Sequence, residues 1–120
     1  MNKIELQGMN LEITRAMDEY ANRKIDNATE HTQAYISNIR ANLSYENHTA
    51  TNLIEIIVFL SGGKIIRNQT RSEDMYASID IACSSIERQL RKYKEKQIDL
   101  KRSRSLQEKL TAPEEMPQAV

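Results

Sequence analysis

Cysteine occurs once in these 120 residues, so no internal disulfide can form and nothing points to redox chemistry. Long apolar runs are missing as well. No stretch approaches the roughly 20 residues that span a bilayer, and the amino terminus lacks the basic-then-apolar profile of a secretory leader. The expected location is the cytoplasm, with no membrane partner. Four Asn-X-Ser/Thr sequons, at Asn27, Asn42, Asn47 and Asn68, then count as chance products of an Asn-rich chain. Only two histidines exist, His31 and His48, and both fall in predicted turns without a carboxylate or cysteine at metal-ligand spacing. No phosphate loop, GxSxG elbow or HExxH pair is present. A metal site, a cofactor, a small-molecule substrate and an enzymatic role are therefore not expected.

Net charge is also absent, since 17 bases balance 17 acids, which argues against a general polyanion binder. The distribution is uneven, however. From Arg88 to Arg104 eight bases (Arg88, Arg91, Lys92, Lys94, Lys96, Lys101, Arg102, Arg104) face two acids (Glu95, Asp99), a net +6. The rest of the chain carries nine bases and fifteen acids, a net −6. An acidic body with one basic segment holds a polyanion at a defined place and disfavours wrapping it indiscriminately.

The chain is long enough for one domain with a single core. Residues 3–8 alternate, with Ile4 and Leu6 on one side, and end at a glycine, as a short strand does. Thr14 is placed to cap a helix whose stripe is Met17, Tyr20, Ala21, Lys24, Ile25 and Ala28, running to about Glu30. Next, Tyr35, Ile39, Ala41, Leu43 and Tyr45 alternate with Asn38, Arg40, Asn42 and Ser44 in a half-buried strand. Residues 53–60 read as a central strand, apolar on both faces apart from Glu55, so that the inward parity is open. Ser61-Gly62-Gly63 supplies a tight hairpin into a fourth strand at residues 64–69. Ser72 is a candidate cap for the last helix, with Glu73 and Asp74 in its first turn. The order β-α-β-β-β-α predicts an α+β two-layer sandwich, a four-stranded sheet with two helices on one face.

On the last helix Met75, Ile79, Ala82, Cys83, Ile86, Leu90 and Tyr93 fall on one arc about 100° wide, and Arg88, Arg91 and Lys92 point away from it. Cys83 reads as a small buried hydrophobe. With the two helices parallel, Arg23 and Lys24 of the first helix would join Arg88, Arg91 and Lys92 in one basic strip. Such a strip neutralises phosphates with little regard to base sequence, leaving shape to supply specificity. Tyr76, just past the apolar arc, is a candidate for stacking on a base, against the commoner role of packing at a helix edge. Asp80 sits among these cations and reads as structural. After Lys96 the apolar periodicity fades, and two late prolines favour a mobile tail over residues 97–120 behind a domain of residues 1–96.

Three stretches also resemble a known family. The opening DMYASID (Asp74 to Asp80) with the ending ERQLRKYKEK, the early IELQGMNLEIT (Ile4 to Thr14) and EYANRKID (Glu19 to Asp26) are similar to the short bacterial ribosome hibernation-promoting and ribosome-associated-inhibitor proteins, the sigma-54 modulation family. Gly62-Gly63 sits where that family's hairpin turns. The resemblance covers residues 1–96 and implies the same fold. It implies a stationary-phase or stress factor, monomeric when free, whose partners are the 30S subunit and the 70S ribosome. There it would occupy the decoding region, exclude messenger and transfer RNA, and inhibit translation. It further implies that Arg23, Lys24, Arg88, Arg91, Lys92, Lys94 and Lys96 contact phosphates of 16S rRNA. Ser78 stands where the family usually has alanine. The longer members carry a second, self-pairing domain, for which no room is expected here. From another class, a regulatory module holding an acidic protein partner on the basic helix stays open, as does a small RNA-processing enzyme using His31 or His48.

Overall fold

A computed structural model describes residues 4–115 of the chain, with side chains as far as Gln107. The elements are β1 (Ile4–Met9), α1 (Arg15–Thr29), a 3₁₀ segment (Glu30–Tyr35), β2 (Ile36–Glu46), β3 (Thr51–Leu60), β4 (Ile65–Ser72) and α2 (Met75–Glu115). The fold divides between Leu90 and Arg91 into two units. The first holds the sheet, α1 and the opening turns of α2.

The strands lie in chain order, β1 parallel to β2 and the other pairs antiparallel. A parallel first pair needs a crossover, which α1 supplies. The register settles the parity of β3. Ile39 faces Val58 and Val58 faces Ile66, while Leu6, Ala41, Ile56 and Asn68 form the next row. Ile54, Ile56 and Val58 thus point inward and are fully buried, together with Ile39, Ala41 and Leu43. Against them the helices bury Ala21 and Ile25 of α1 and Met75, Ile79, Ala82, Cys83, Ile86 and Leu90 of α2.

Local chemistry starts and stops these elements. Thr14 caps α1 as expected, its hydroxyl accepting from Met17 N at 3.1 Å. The cap of α2 is Asp74 and not Ser72. Asp74 Oδ2 accepts from Ala77 N at 3.2 Å, whereas Ser72 still belongs to β4 and its hydroxyl reaches Asp74 O at 2.6 Å. A carboxylate is the better group there, because it also complements the helix dipole. Gly62 and Gly63 take φ of 90° and 92° in the β3–β4 hairpin, a region that a side chain disfavours. Gly8 answers a different need: a Cβ there would stand 2.5 Å from Leu11 O, so the chain leaving β1 folds back against its backbone.

Tyr35, expected in the second strand, closes the 3₁₀ segment, and β2 starts one residue later. β4 shows little apolar alternation because its inner side, after Ile66, is polar. Asn68 Nδ2 donates to Ser85 Oγ at 2.9 Å and Thr70 Oγ1 to Asn68 Oδ1 at 2.7 Å, so an edge strand is tied to α2 by hydrogen bonds. Ser78 is fully buried, donates to Asn52 O at 2.9 Å and lies 2.7 Å from Ser72 Oγ. A hydroxyl at this place finds its partners on β3 and β4.

Residues past Lys96, expected to leave the helix within a turn or two, stay in α2 as far as Glu115. Residues 91–112 hold no glycine or proline and are mostly Lys, Arg, Gln, Glu and Leu, which favour helix whether or not a face is buried. Among the described residues no helix is long and apolar enough to cross a membrane.

Candidate nucleic-acid interface

Among the described residues, the arginines on the face of the sheet turned away from the helices each have a carboxylate beside them. Arg40 pairs with Glu5 at 3.3 Å, Arg67 with Glu55 at 3.6 Å and Arg71 with Glu46 at 2.8 Å. Arg40 also lies 5.5 Å from the Phe59 ring, and Arg40 and Arg67 flank Ile57 on either side. Their stems cover an otherwise exposed apolar residue. Among the described residues this face is balanced in charge. α1 is balanced too, with three bases and three acids, and the surplus of cations lies on α2 from Arg88 to Arg104.

On α1 the helical spacing brings Tyr20, Arg23 and Lys24 to one side. The Tyr20 hydroxyl donates to Asp80 Oδ1 of α2 at 2.6 Å, and Lys24 Nζ stands 3.4 Å from the same oxygen. The Tyr20 ring meets Tyr76 edge-to-face at 5.0 Å, and the Arg23 guanidinium lies 5.3 Å from the Tyr20 centroid. Asp80 holds the Tyr20 phenol above its ordinary pKa, chiefly through the hydrogen bond, with desolvation adding to it. Asp80, an acid among cations, is thus the joint between the helices. Tyr20 was not singled out from the sequence as more than a core-stripe residue. Its signal is the pairing of Tyr20 and Lys24 on one helix with Tyr76 and Asp80 on the other, each four apart.

Further along, Lys24, Asn27, Ala28, Asp80, Cys83, Ser84 and Glu87 line a cleft between α1 and α2. Two carboxylates share it with one lysine, so the strip expected across both helices is not uniformly basic there. Burial pushes the Cys83 thiol up to about 12, which makes it an inert part of the core.

Of the expected phosphate contacts, Arg23 is exposed, Lys24 is half-buried and bound to Asp80, and Arg88 is exposed on α2. Arg91, Lys92 and Lys96 are exposed and Lys94 half-buried in the second unit. Tyr76 is half-buried and packed against Tyr20, the commoner role for a tyrosine at a helix edge. His31 and His48 are both exposed. Among the described residues no group of three or more His, Cys, Asp and Glu side chains is placed to hold a metal ion.

A family model described as sigma 54 modulation protein / S30EA ribosomal protein matches residues 4–98. This chain belongs to that family. All seven candidate cations lie inside the match, and Lys101, Arg102 and Arg104 lie beyond it. A ribosome hibernation promotion factor of Picosynechococcus sp. is 39% identical over 97 residues, which make up 78% of this chain and 50% of that protein. The chain therefore spans about half the length of that relative, and the same holds for one from Deinococcus radiodurans. A ribosome hibernation promoting factor of Azotobacter vinelandii is 32% identical over 97 residues, 81% of this chain and 87% of the relative. Among solved structures, a ribosomal subunit interface protein of Coxiella burnetii superposes with a TM-score of 0.69 at 28% identity, over 77% of this chain and 97% of its own. The N-terminal domain of Thermus thermophilus Protein Y gives 0.63 at 32% identity, over 78% and 99%. The β-α-β-β-β-α fold of the family is thus the fold of this chain.

Proposed function

We propose that this protein is a ribosome hibernation factor that works in the cytoplasm without catalysis. It would bind the small subunit in the decoding region through phosphates of 16S rRNA, exclude messenger and transfer RNA, and silence translation in stationary phase or stress. Family membership supports ribosome association, because relatives at 30–39% identity carry the hibernation name. The observation that carries the RNA reading is the contrast between faces. Arginines of the open sheet face are matched by glutamates, while the segment from Arg88 to Arg104 carries a net charge of +6 in sequence. A polyanion gains most where protein carboxylates compete least. Arg23, Lys24, Arg88, Arg91, Lys92, Lys94 and Lys96 are the proposed contacts, and the domain that presents them is proposed to end near Lys96.

The test is co-sedimentation with 30S subunits and 70S ribosomes across a salt series, for the native chain and for the triple variant Arg88→Glu, Arg91→Glu, Lys92→Glu. These positions are exposed, so the variant should fold, and its binding should be lost. Native binding should weaken linearly in log salt, with a slope of roughly 0.7 to 0.9 per phosphate neutralised. Undiminished binding by the folded variant, or indifference to salt, would refute the phosphate-contact reading.

A further inference from the structure

The second unit is a helix with a large excess of one charge. Between Arg91 and Gln107 it has seven bases and two acids. Lys92 and Lys96 stand four apart on one side, a like-charge pair, while Arg91 has Glu95 at the same spacing. Helices without tertiary packing are marginal in water, and from Lys101 to Gln107 every side chain is exposed.

Taking 100° per residue, the seven bases spread over an arc of roughly 280°, and Glu95 and Asp99 both fall in the remaining sector of about 80°. A membrane-surface or groove-binding helix has one cationic or one apolar side, and this one has cations nearly all round. Its apolar residues argue against a second copy of the chain. Ile98, Leu100 and Leu106, the last two 49% and 60% exposed, point in three directions about 80° to 160° apart, so no a/d seam forms for a coiled coil. A flat anionic surface would also satisfy only part of the arc. Charge complementarity on nearly every side requires a partner that encloses the helix. Folded RNA does this at a junction where several phosphate strands converge, since the major groove of a regular A-form helix is too narrow.

We propose that the α2 continuation from Arg91 to Gln107 is an RNA-inserting helix, enclosed by folded RNA on the arc of Arg91, Lys92, Lys94, Lys96, Lys101, Arg102 and Arg104, with the Glu95–Asp99 sector left facing solvent. Its later part lies beyond the family match, which ends at residue 98, so this enclosure is an addition to the family domain. The inference rests on the proposed ribosomal function for the identity of the RNA.

The test uses the full chain in two variants, Lys101→Glu with Arg102→Glu and Arg104→Glu, and Glu95→Gln with Asp99→Gln. All five residues are exposed, and the first three lie outside the family domain. Ribosome affinity is measured across a salt series, with circular dichroism to verify folding. The triple variant should bind at least about tenfold more weakly, and its log–log salt slope should fall by about 2 to 3, as expected for three lost phosphate contacts. The Gln variant should bind as the native chain does or more tightly. Native affinity in the folded triple variant would overturn the proposal, and so would equal weakening of both variants. Concentration-dependent dimers of the free native chain that the triple variant abolishes would overturn it in favour of a second copy. If the native chain fails to bind ribosomes at all, the ribosomal reading fails. The helix is then judged on a structured rRNA fragment, where the triple variant must still bind more weakly than the native chain.

Discussion

Replacing Asp80 by Asn separates fold from RNA contact, because Asp80 serves the first and opposes the second. Asparagine keeps the shape, and its amide oxygen still accepts from the Tyr20 hydroxyl, but the charge that holds Lys24 at 3.4 Å is gone. The two side chains of that pair are 37% and 47% exposed. At such exposure water screens the pair, and its loss costs at most about 1 kcal/mol, or roughly 3 to 5 °C in melting temperature for a chain of this size. Binding should move the other way. Lys24 no longer has a protein counter-ion and becomes available to one more phosphate, which steepens the log–log salt slope by about 0.7 to 0.9. Between about 50 and about 200 mM salt, the advantage of the variant over the native chain should then shrink roughly threefold. Alkaline pH supplies an independent check. The Tyr20 pKa is raised above the ordinary tyrosine value of 10.0, chiefly by the Asp80 hydrogen bond, so the stability that comes with it is fully present below that value. It is lost as pH rises through the raised pKa, so the melting difference between native and variant should narrow there. The assays are thermal melting and ribosome co-sedimentation on the same preparations. If affinity falls together with stability, Asp80 is positioning the RNA-binding side chains and the idea of Lys24 as a restrained phosphate ligand is wrong.

Gly8→Ala should destabilise the domain by about 1–3 kcal/mol, since the new methyl group meets the Leu11 carbonyl at 2.5 Å and Ile13 Cγ1 at 3.0 Å and the backbone must move. An unchanged melting temperature would show that the turn after β1 gives way freely. Cys83 should resist thiol reagents in the native protein and react promptly once denaturant is added, because burial raises its pKa to about 12. The neutral thiol is favoured by the fold, so its contribution to stability is complete below the ordinary thiol value of 9.0 and lost as pH rises through about 12. Rapid labelling of native protein near neutral pH would mean that this part of α2 opens.

The sequence alone determined the parts of this protein that depend on local chemistry and period. Thr14 as a cap, the Gly62-Gly63 hairpin, the inward side of β2 and the apolar arc of α2 all follow from neighbours a few residues away, and all are as expected. Tertiary structure decided what depends on partners distant in sequence. β3 is apolar on both sides, and its parity came from its place between β2 and β4, with Ile57 sheltered by two arginines. The helix beyond Lys96 was hidden because fading periodicity reports the loss of a buried face, whereas helix persistence follows from backbone propensity. The chain's cations could be counted from sequence, but which of them stand beside an acid could not. Glu5, Glu46 and Glu55 balance the sheet arginines, and Asp80 gathers Tyr20 and Lys24 across 60 and 56 residues of chain. Charge pairing acts through space over a few ångströms, and only the packed sheet and helices fix those distances.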